Sequence, residues 1–440
     1  MYKVNPIRHG YFLAQELCAT GAEVLWRKFG NEQWVYSCAK DARPYFEHFK
    51  DKLNGVDFVP MVYQDQDIAG VVEVAKLAQD YAIDLWLGPR IYKQIDNLPV
   101  PPARFTSWMM DEKGLIHPAV RDVKRRPDID RFNPDAVKWF REVYYDTFLK
   151  HFEPNLLHGL FWPEEHLGAN LAVVSSFSAG QDYWHSPVYS DSSLEQWREY
   201  CRQHDVTHNN RTVDAFPVHA EEMEAQGKGK TKCYPGFTIG APDGTRSYAE
   251  LPRCTGVWRH WYNYLCHTFF KHWILPLSEQ MHALNRNNPR WRGVVYFGLS
   301  QWLIPYERCA VAGRPAKIPL NGYQYGMNVE LLAKHPAITY VIHEFGTDSY
   351  PRDMHEIHEV FLSLLGTHRE KHGLMVHRLD DMSRAILPSE ERERWGFIKR
   401  YAPEILSFYC LRRFFPHSGS FDSDGTRLFF EELTKYQSGI

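Results

Sequence analysis

The sequence has no apolar run of the roughly 18 residues that a membrane-spanning helix needs, so nothing in it points to a membrane-embedded protein. It has no excess of one charge either. The formal net charge is -3 over 440 residues, which leaves no electrostatic footprint for nucleic acid or an anionic membrane surface. The segment Met1 to Gly10 lacks the apolar centre of a signal peptide. Cysteine pairs at metal or redox spacing are missing. The eight cysteines (Cys18, Cys38, Cys201, Cys233, Cys254, Cys266, Cys309 and Cys410) are scattered, with no C-x-x-C. A chain this long needs no disulfide framework. Read as buried thiols, they lean toward a reducing, cytoplasmic compartment, and localisation is left open.

Three catalytic signatures are absent as well. No glycine-rich phosphate loop follows an early strand, which argues against a nucleotide-binding open sheet. Ser300 lies in Gly298-Leu299-Ser300-Gln301-Trp302, without the closing glycine of a nucleophile elbow. His355-Glu356-Ile357-His358-Glu359 brings its second histidine one position too early for a zinc helix, because i,i+4 spacing is what puts both ligands on one face. It reads instead as a solvated helix face. No metal and no cofactor are expected.

What is present is an ordinary globular balance, 44% hydrophobic and 24% charged residues, with many aromatics: 14 Trp, 25 Tyr and 26 Phe. Such aromatics either fill a large core or form platforms for the apolar faces of sugar rings. Short apolar runs alternate with amphipathic stretches. Strands are expected at Glu23–Phe29 with Trp34–Cys38, Asp57–Tyr63, Ile83–Gly88, His158–Trp162, Gly293–Leu299, Ile338–His343, Leu374–Leu379 and Leu406–Leu411. Helices are expected at Pro44–Leu53, Ile68–Tyr81, Asp135–Phe152, Leu194–His204, Val257–Leu284, Met354–Lys371 and Glu390–Ile405, with a further helix ahead of the first strand. Asn133 before Pro134, and Ser192 or Ser193 before Leu194, are helix starts. About eight strands alternating with helices imply an α/β (β/α)8 barrel (TIM barrel). One catalytic barrel over residues 1–440 is expected. Its insertions near 93–131 and 205–254 would form the cleft.

Three expected strands run into carboxylates. Gly159-Leu160-Phe161-Trp162-Pro163 is followed by Glu164-Glu165-His166. Ala337 to His343 leads to Glu344. Leu374 to Leu379 leads to Asp380-Asp381. Side chains just past the C-terminal ends of barrel strands point into the mouth, where barrel enzymes do their chemistry. Neighbouring glutamates alternate sides in an extended backbone, so one of Glu164 and Glu165 faces the cleft. A carboxyl group held among aromatics keeps its proton more tightly and suits protonation of a leaving glycosidic oxygen.

The stretch Gly159–Gly168 resembles the strand-four signature of clan A glycoside hydrolases, in particular the family 42 β-galactosidases, G-W-x-x-D-N-E-Y-G. Glu165 falls on the family's acid/base glutamate, while Pro163 stands for the Asp and Glu164 for the Asn. The segment Tyr189 to Tyr200 resembles the helix that follows, and Leu87–Arg104 the long loop after strand three. The resemblance implies a retaining two-carboxylate hydrolase with a nucleophilic Glu after strand seven. If a strand lies within 205–254, Ile338–His343 is strand seven and Glu344 the nucleophile, which is the preferred assignment. Otherwise strand seven offers Asp380 or Asp381, and Asp348 to Pro351 resembles the family's strand-six W-D-x-Y-P.

Trp86, Arg90, Trp162, Trp184, His185, Tyr296, Trp302 and His343 lie at or near expected strand ends, and with Asp348 and Tyr350 they are the candidate sugar-binding residues. The expected partner is a carbohydrate, with no nucleic acid and no membrane; the oligomeric state is open, a homo-oligomer included. Two other readings stand beside the glycosidase: a metal-dependent hydrolase or lyase on the same barrel, and a barrel that binds carbohydrate without cleaving it.

Overall fold

The computed structural model describes residues 10–19, 27–29, 32–34, 36–37, 46–60, 65–88, 102–106, 108–110, 116–118, 129–147, 149–153, 155–163, 190–208, 210–216, 256–298, 310–311, 314–315, 328–345, 351–377, 387–409 and 424–439, with single positions at 2, 4, 5, 7 and 43. Eight parallel strands form the centre: β1 (Tyr11–Ala19), β2 (Gly55–Pro60), β3 (Asp84–Leu87), β4 (Gly159–Pro163), β5 (Gly293–Gly298), β6 (Tyr340–Phe345), β7 (His372–His377) and β8 (Ile405–Tyr409). Each pairs with the next, and β8 pairs back onto β1, so the sheet closes into a (β/α)8 barrel without free edges. A short strand, Tyr36–Ser37, extends the sheet at the end of β1.

Helices cover the outside: α1 (Asp65–Asp80), α2 (Pro134–Thr147), α3 (Asp191–Gln203), α4 (Gly256–Phe269), α5 (Leu275–Leu284), α6 (Val329–Lys334), α7 (Pro351–Leu365), α8 (Pro388–Tyr401) and α9 (Asp424–Ser438). The Asn133 side chain accepts hydrogen bonds from the Asp135 and Ala136 amides at the start of α2, as the Asn-Pro pair implies. The cap of α3 is Ser190, whose hydroxyl accepts from the Ser193 amide; it lies ahead of the serines expected from the sequence. Helices α4 and α5 are joined by a π turn, Phe270–Ile274. Pro276 lacks an N–H and its ring collides with the carbonyl four residues back; the one-residue widening of the helix ahead of it relieves both.

Two expectations about the N-terminus do not hold. The chain opens with β1 rather than a helix. Within the expected first strand, Arg27–Phe29 pairs antiparallel with Glu32–Trp34 in a hairpin outside the barrel. Aromatic and β-branched residues mark both segments as extended, but Gly-Asn between them is a turn-forming pair in sequence. Residues 11–19 (Tyr-Phe-Leu-Ala-Gln-Glu-Leu-Cys-Ala) carry good helix formers, and pairing with β2 and β8 overrides that preference. Helix α9 was not foreseen. The 205–254 insertion connects α3 to α4; its described part is a small hairpin, Thr207–His208 with Arg211–Thr212.

Apolar residues divide by strand parity. Tyr11, Leu13, Trp86, Phe161, Val295, Tyr340, Ile342, Met375 and Ile405 fill the lumen. The alternate positions, among them Leu85, Leu87, Leu160, Trp162, Val294, Tyr296 and Val341, pack under the helices. The aromatic abundance serves this second layer. Trp197, Trp261, Trp273, Trp291 and Trp395 are all fully buried, and Trp162, Trp273 and Phe140 form a continuous contact.

The lower lumen is closed by one carboxylate. Asp84 Oδ1 accepts from Arg290 Nε and Nη2 at 3.1 and 2.7 Å. Its Oδ2 accepts from Arg292 Nε at 3.0 Å and from the Tyr11 hydroxyl at 2.9 Å. Tyr11 in turn accepts from the Trp86 indole at 3.0 Å. Trp86 lies across Gly159, where a Cβ would come within 2.0 Å of its ring. Asp84→Ala should leave both guanidinium groups and the tyrosine without their acceptor. Because the arginines are partly exposed, the loss is expected near the low end for a buried pair, about 3 kcal/mol, read as a lower urea midpoint at unchanged slope.

Candidate functional site

The mouth of the barrel lies at the C-terminal ends of the strands, above the lumen layer of Phe161, Ile342 and Met375. Strand parity identifies the positions that line it. On β6, Tyr340 and Ile342 face the lumen, and position 344, in register with Met375 of β7, continues that face at the strand's end. Position 377 of β7 continues the face of Met375 and is in register with Tyr409 of β8. Glu344, His377 and Tyr409 thus occupy lumen-side positions at the ends of three adjacent strands. His377 and Tyr409 were not singled out from sequence; counting by twos reaches them only once the structure shows that Met375 and Ile405 face the lumen.

A further carboxylate lies inside the barrel. Asp57 of β2 is fully buried, in register with Trp86. Its carboxyl group reaches toward the C-terminal end of β3, where a Cβ on Gly88 would meet Oδ1 at 2.3 Å. Only glycine at 88 leaves it that space. Sequence reasoning missed it because Asp57 was taken as the start of a strand rather than as an inward residue.

The candidate sugar-binding residues separate into groups. Trp86 is lumen packing, 0% exposed beneath the mouth, not a platform. Trp162 points outward: its indole donates to the Ser278 hydroxyl of α5 at 3.1 Å. Tyr296 has the same outward parity and is equally buried. His343 is outward too, stacked on Phe361 of α7 with centroids 4.8 Å apart. The physical reason is common to the three: each has even or odd parity opposite to the lumen residues of its own strand. Arg90, Trp184, His185, Trp302, Asp348 and Tyr350 lie outside the described residues, as do Glu164, Glu165, Asp380 and Asp381.

The strand count answers the question left open by the sequence. β4 pairs directly with β5, and β8 closes on β1, so no additional barrel strand fits within 205–254. Glu344 therefore belongs to strand six, and the ground for preferring it as a strand-seven residue is removed. Strand seven is His372–His377, and Asp380 and Asp381 follow it in sequence.

The His355–Glu359 segment also differs from a solvated face. His358 is fully buried and its Nδ1 lies 2.9 Å from Nδ1 of His343. Among the described residues, no group of three His, Cys, Asp or Glu side chains is arranged to hold a metal ion, and no helix is long and apolar enough to cross a membrane.

At the rim, Asp130 stands where the chain returns from the 93–131 insertion. It is 1% exposed; it accepts from the Phe132 amide at 3.0 Å and from Ser190, the cap of α3. Burial raises its carboxyl to about 6, against these hydrogen bonds.

No protein-family model matches the sequence, and no curated protein matches it. Among solved structures, the chain is similar to the catalytic domain of β-amylase from Paenibacillus polymyxa. The sequences are 8% identical, the match covers 97% of this chain and 99% of that one, and the TM-score is 0.53. At that identity the likeness shows the barrel fold alone.

A raised carboxyl has a signed consequence. Asp130 adds no penalty below its ordinary value of 3.8, and stability is lost as pH rises from there through about 6, with no further loss above. Asp130→Asn keeps an acceptor without the charge. Its stability relative to the wild type is expected to rise between about pH 4 and 6 and to level off above, measured by urea denaturation at each pH; a constant difference would show that burial of Asp130 carries no ionisation cost.

Proposed function

We propose that this chain is a glycoside hydrolase that cleaves its substrate with two carboxylates at the barrel mouth, Glu165 acting as general acid/base. The observation that carries the reading is parity. Gly159 packs against the lumen residue Trp86 and Phe161 is in the lumen itself. Glu165 has the same parity, whereas Glu164 has that of the outward Leu160 and Trp162. Glu165, which follows β4 in sequence with the parity of the lumen residues, is therefore the one of the two glutamates that we assign as the acid/base. The fold likeness to a β-amylase catalytic domain supports a carbohydrate substrate. So does the resemblance of Gly159–Gly168 to the clan A strand-four signature.

For the second carboxylate we rely on the order of the strands. The clan places its nucleophile after strand seven, which in this barrel leads to Asp380-Asp381. Glu344, at the end of strand six, is proposed as a contact to a sugar hydroxyl. A retaining enzyme needs its two carboxyl groups about 5–5.5 Å apart, an inverting one roughly 6.5–9.5 Å. Arg90, Trp184, His185, Trp302, Asp348 and Tyr350 remain the proposed contacts to the sugar. A β-galactosidase-like or related oligosaccharide or polysaccharide substrate is the proposed class.

The test is hydrolysis of a panel of aryl glycosides and polysaccharides by the wild type and by Glu165→Gln, Glu164→Gln, Glu344→Gln, Asp380→Asn and Asp381→Asn. Loss of the general acid is expected to reduce the rate by about 10²–10⁴-fold in Glu165→Gln and not in Glu164→Gln. Loss in one aspartate variant, restored by azide as a glycosyl azide, identifies the nucleophile. Full activity in both glutamine variants at 164 and 165 removes strand four from the mechanism.

A further inference from the structure

Three buried imidazoles meet between the barrel and its helices. His343 of β6, His358 of α7 and His372 of β7 are 1%, 0% and 4% exposed. The His343 and His358 rings stack with centroids 5.2 Å apart and planes 10° off parallel. His358 and His372 lie 4.9 Å apart. Phe361 stacks on His343, and Tyr401 of α8 stands edge-on to His358 at 4.4 Å. We infer that this cluster is an acid-sensitive lock which positions the C-terminal end of β6, and with it Glu344, and which releases that end when an imidazole takes up a proton.

The chemistry of the Nδ1···Nδ1 contact at 2.9 Å leads there. One ring donates its Nδ1 proton, and the other accepts with the Nδ1 lone pair while carrying its own proton on Nε2. An additional proton on the accepting Nδ1 turns two partners into two donors and ends the bond. Placed on Nε2 of the donor ring, it puts a cation between aromatic rings with little water to solvate it.

Among the charged and titratable neighbours of His358, His343, His372, Arg369 and His355 each disfavour the charged form. Burial is the larger cause, and it moves His358 well below the ordinary histidine range. Burial also brings His343 to about 3, with His372 adding to it, and His372 to about 4, with Arg369 adding to it. The carboxylates on the nearby helices act further out: Glu359 and Glu393 face His355, whose Nδ1 is 3.0 Å from the Tyr401 hydroxyl.

The sign is that of a depressed base. Above about pH 6.5 the three rings are neutral whether packed or released, and no penalty arises. Below it the released rings bind protons that the packed rings refuse, so the packed fraction falls roughly tenfold per pH unit for each ring. His343 immediately precedes Glu344 in β6, so release at 343 displaces the position next to it.

The structural part of the inference stands apart from the glycosidase reading and is tested without it. Hydrogen exchange of peptides covering 340–345, 351–365 and 372–377, corrected for intrinsic rates, is followed from pH 7.5 to 4.5. In the wild type, protection there is expected to fall at least ~30-fold more than in β2 and β3 between pH 6.5 and 5. In His358→Phe, which keeps the ring packing and cannot be protonated, the difference should shrink at least threefold. Equal pH dependence in all these segments, or the same fall in His358→Phe, overturns the lock. If His358→Phe does not fold, 13C-histidine NMR of the wild type decides: none of the three rings should titrate above pH 5 while the protein is native, and one titrating near 6.5 without loss of protection refutes it. For the link to Glu344, the acid limb of kcat should move to lower pH in His358→Phe at unchanged KM; an unmoved limb with altered exchange separates the lock from the site, and absence of hydrolysis at any pH counts against the glycosidase alone.

Discussion

The barrel depends on what closes its lower end. Eight parallel strands leave a lumen whose walls are apolar, and a polar group placed there must be fully satisfied or it destabilises the fold. Asp84 meets that condition with two arginines from the segment ahead of β5 and the hydroxyl of Tyr11. The cluster joins strands one, three and five across the barrel axis. It also sets Trp86, through Tyr11, in the space that Gly159 and Gly55 leave free. The mouth above it therefore rests on a fixed floor.

The two faces of each strand have different tasks. The inward face carries small residues where Trp86 and Ile342 need room, then aliphatic and aromatic layers, and toward the mouth it carries Asp57 and position 344. The outward face carries the aromatic layer against the helices. His158 belongs to this economy of backbone partners: its Nδ1 accepts the Leu85 amide at 2.8 Å, and burial brings it down to about 4, so it remains a neutral acceptor. The His343–His358–His372 group differs because its imidazoles meet one another. That makes a well-packed sector conditional on protonation, whereas the Asp84 cluster at the opposite end is held by permanently charged guanidinium groups.

Some of this was legible from residues alone. The alternation of apolar runs with amphipathic stretches gives the barrel, because parallel pairing with helical crossovers is what such alternation can build. Asn133 before Pro134 gives the start of α2, since capping is a local matter. Residues 11–19 and the hairpin at 27–34 were not legible in the same way: local preference misplaced both, and the pairs that fix β1 join it to β2, about 40 positions on, and to β8, nearly 400 positions on.

The sequence by itself determined the fold class and the approximate position of most barrel strands. Only the tertiary structure decided which side of each strand is inside. Strands of a parallel barrel are buried on both faces, so their apolar runs are nearly continuous and carry no contrast between inner and outer positions. Trp162, Tyr296 and His343 consequently read as mouth residues in the chain and prove to be packing beneath helices. The number of a strand is likewise a property of closure: β4 against β5 and β8 against β1 make Glu344 a strand-six residue, and no stretch of sequence, read by itself, contains that information.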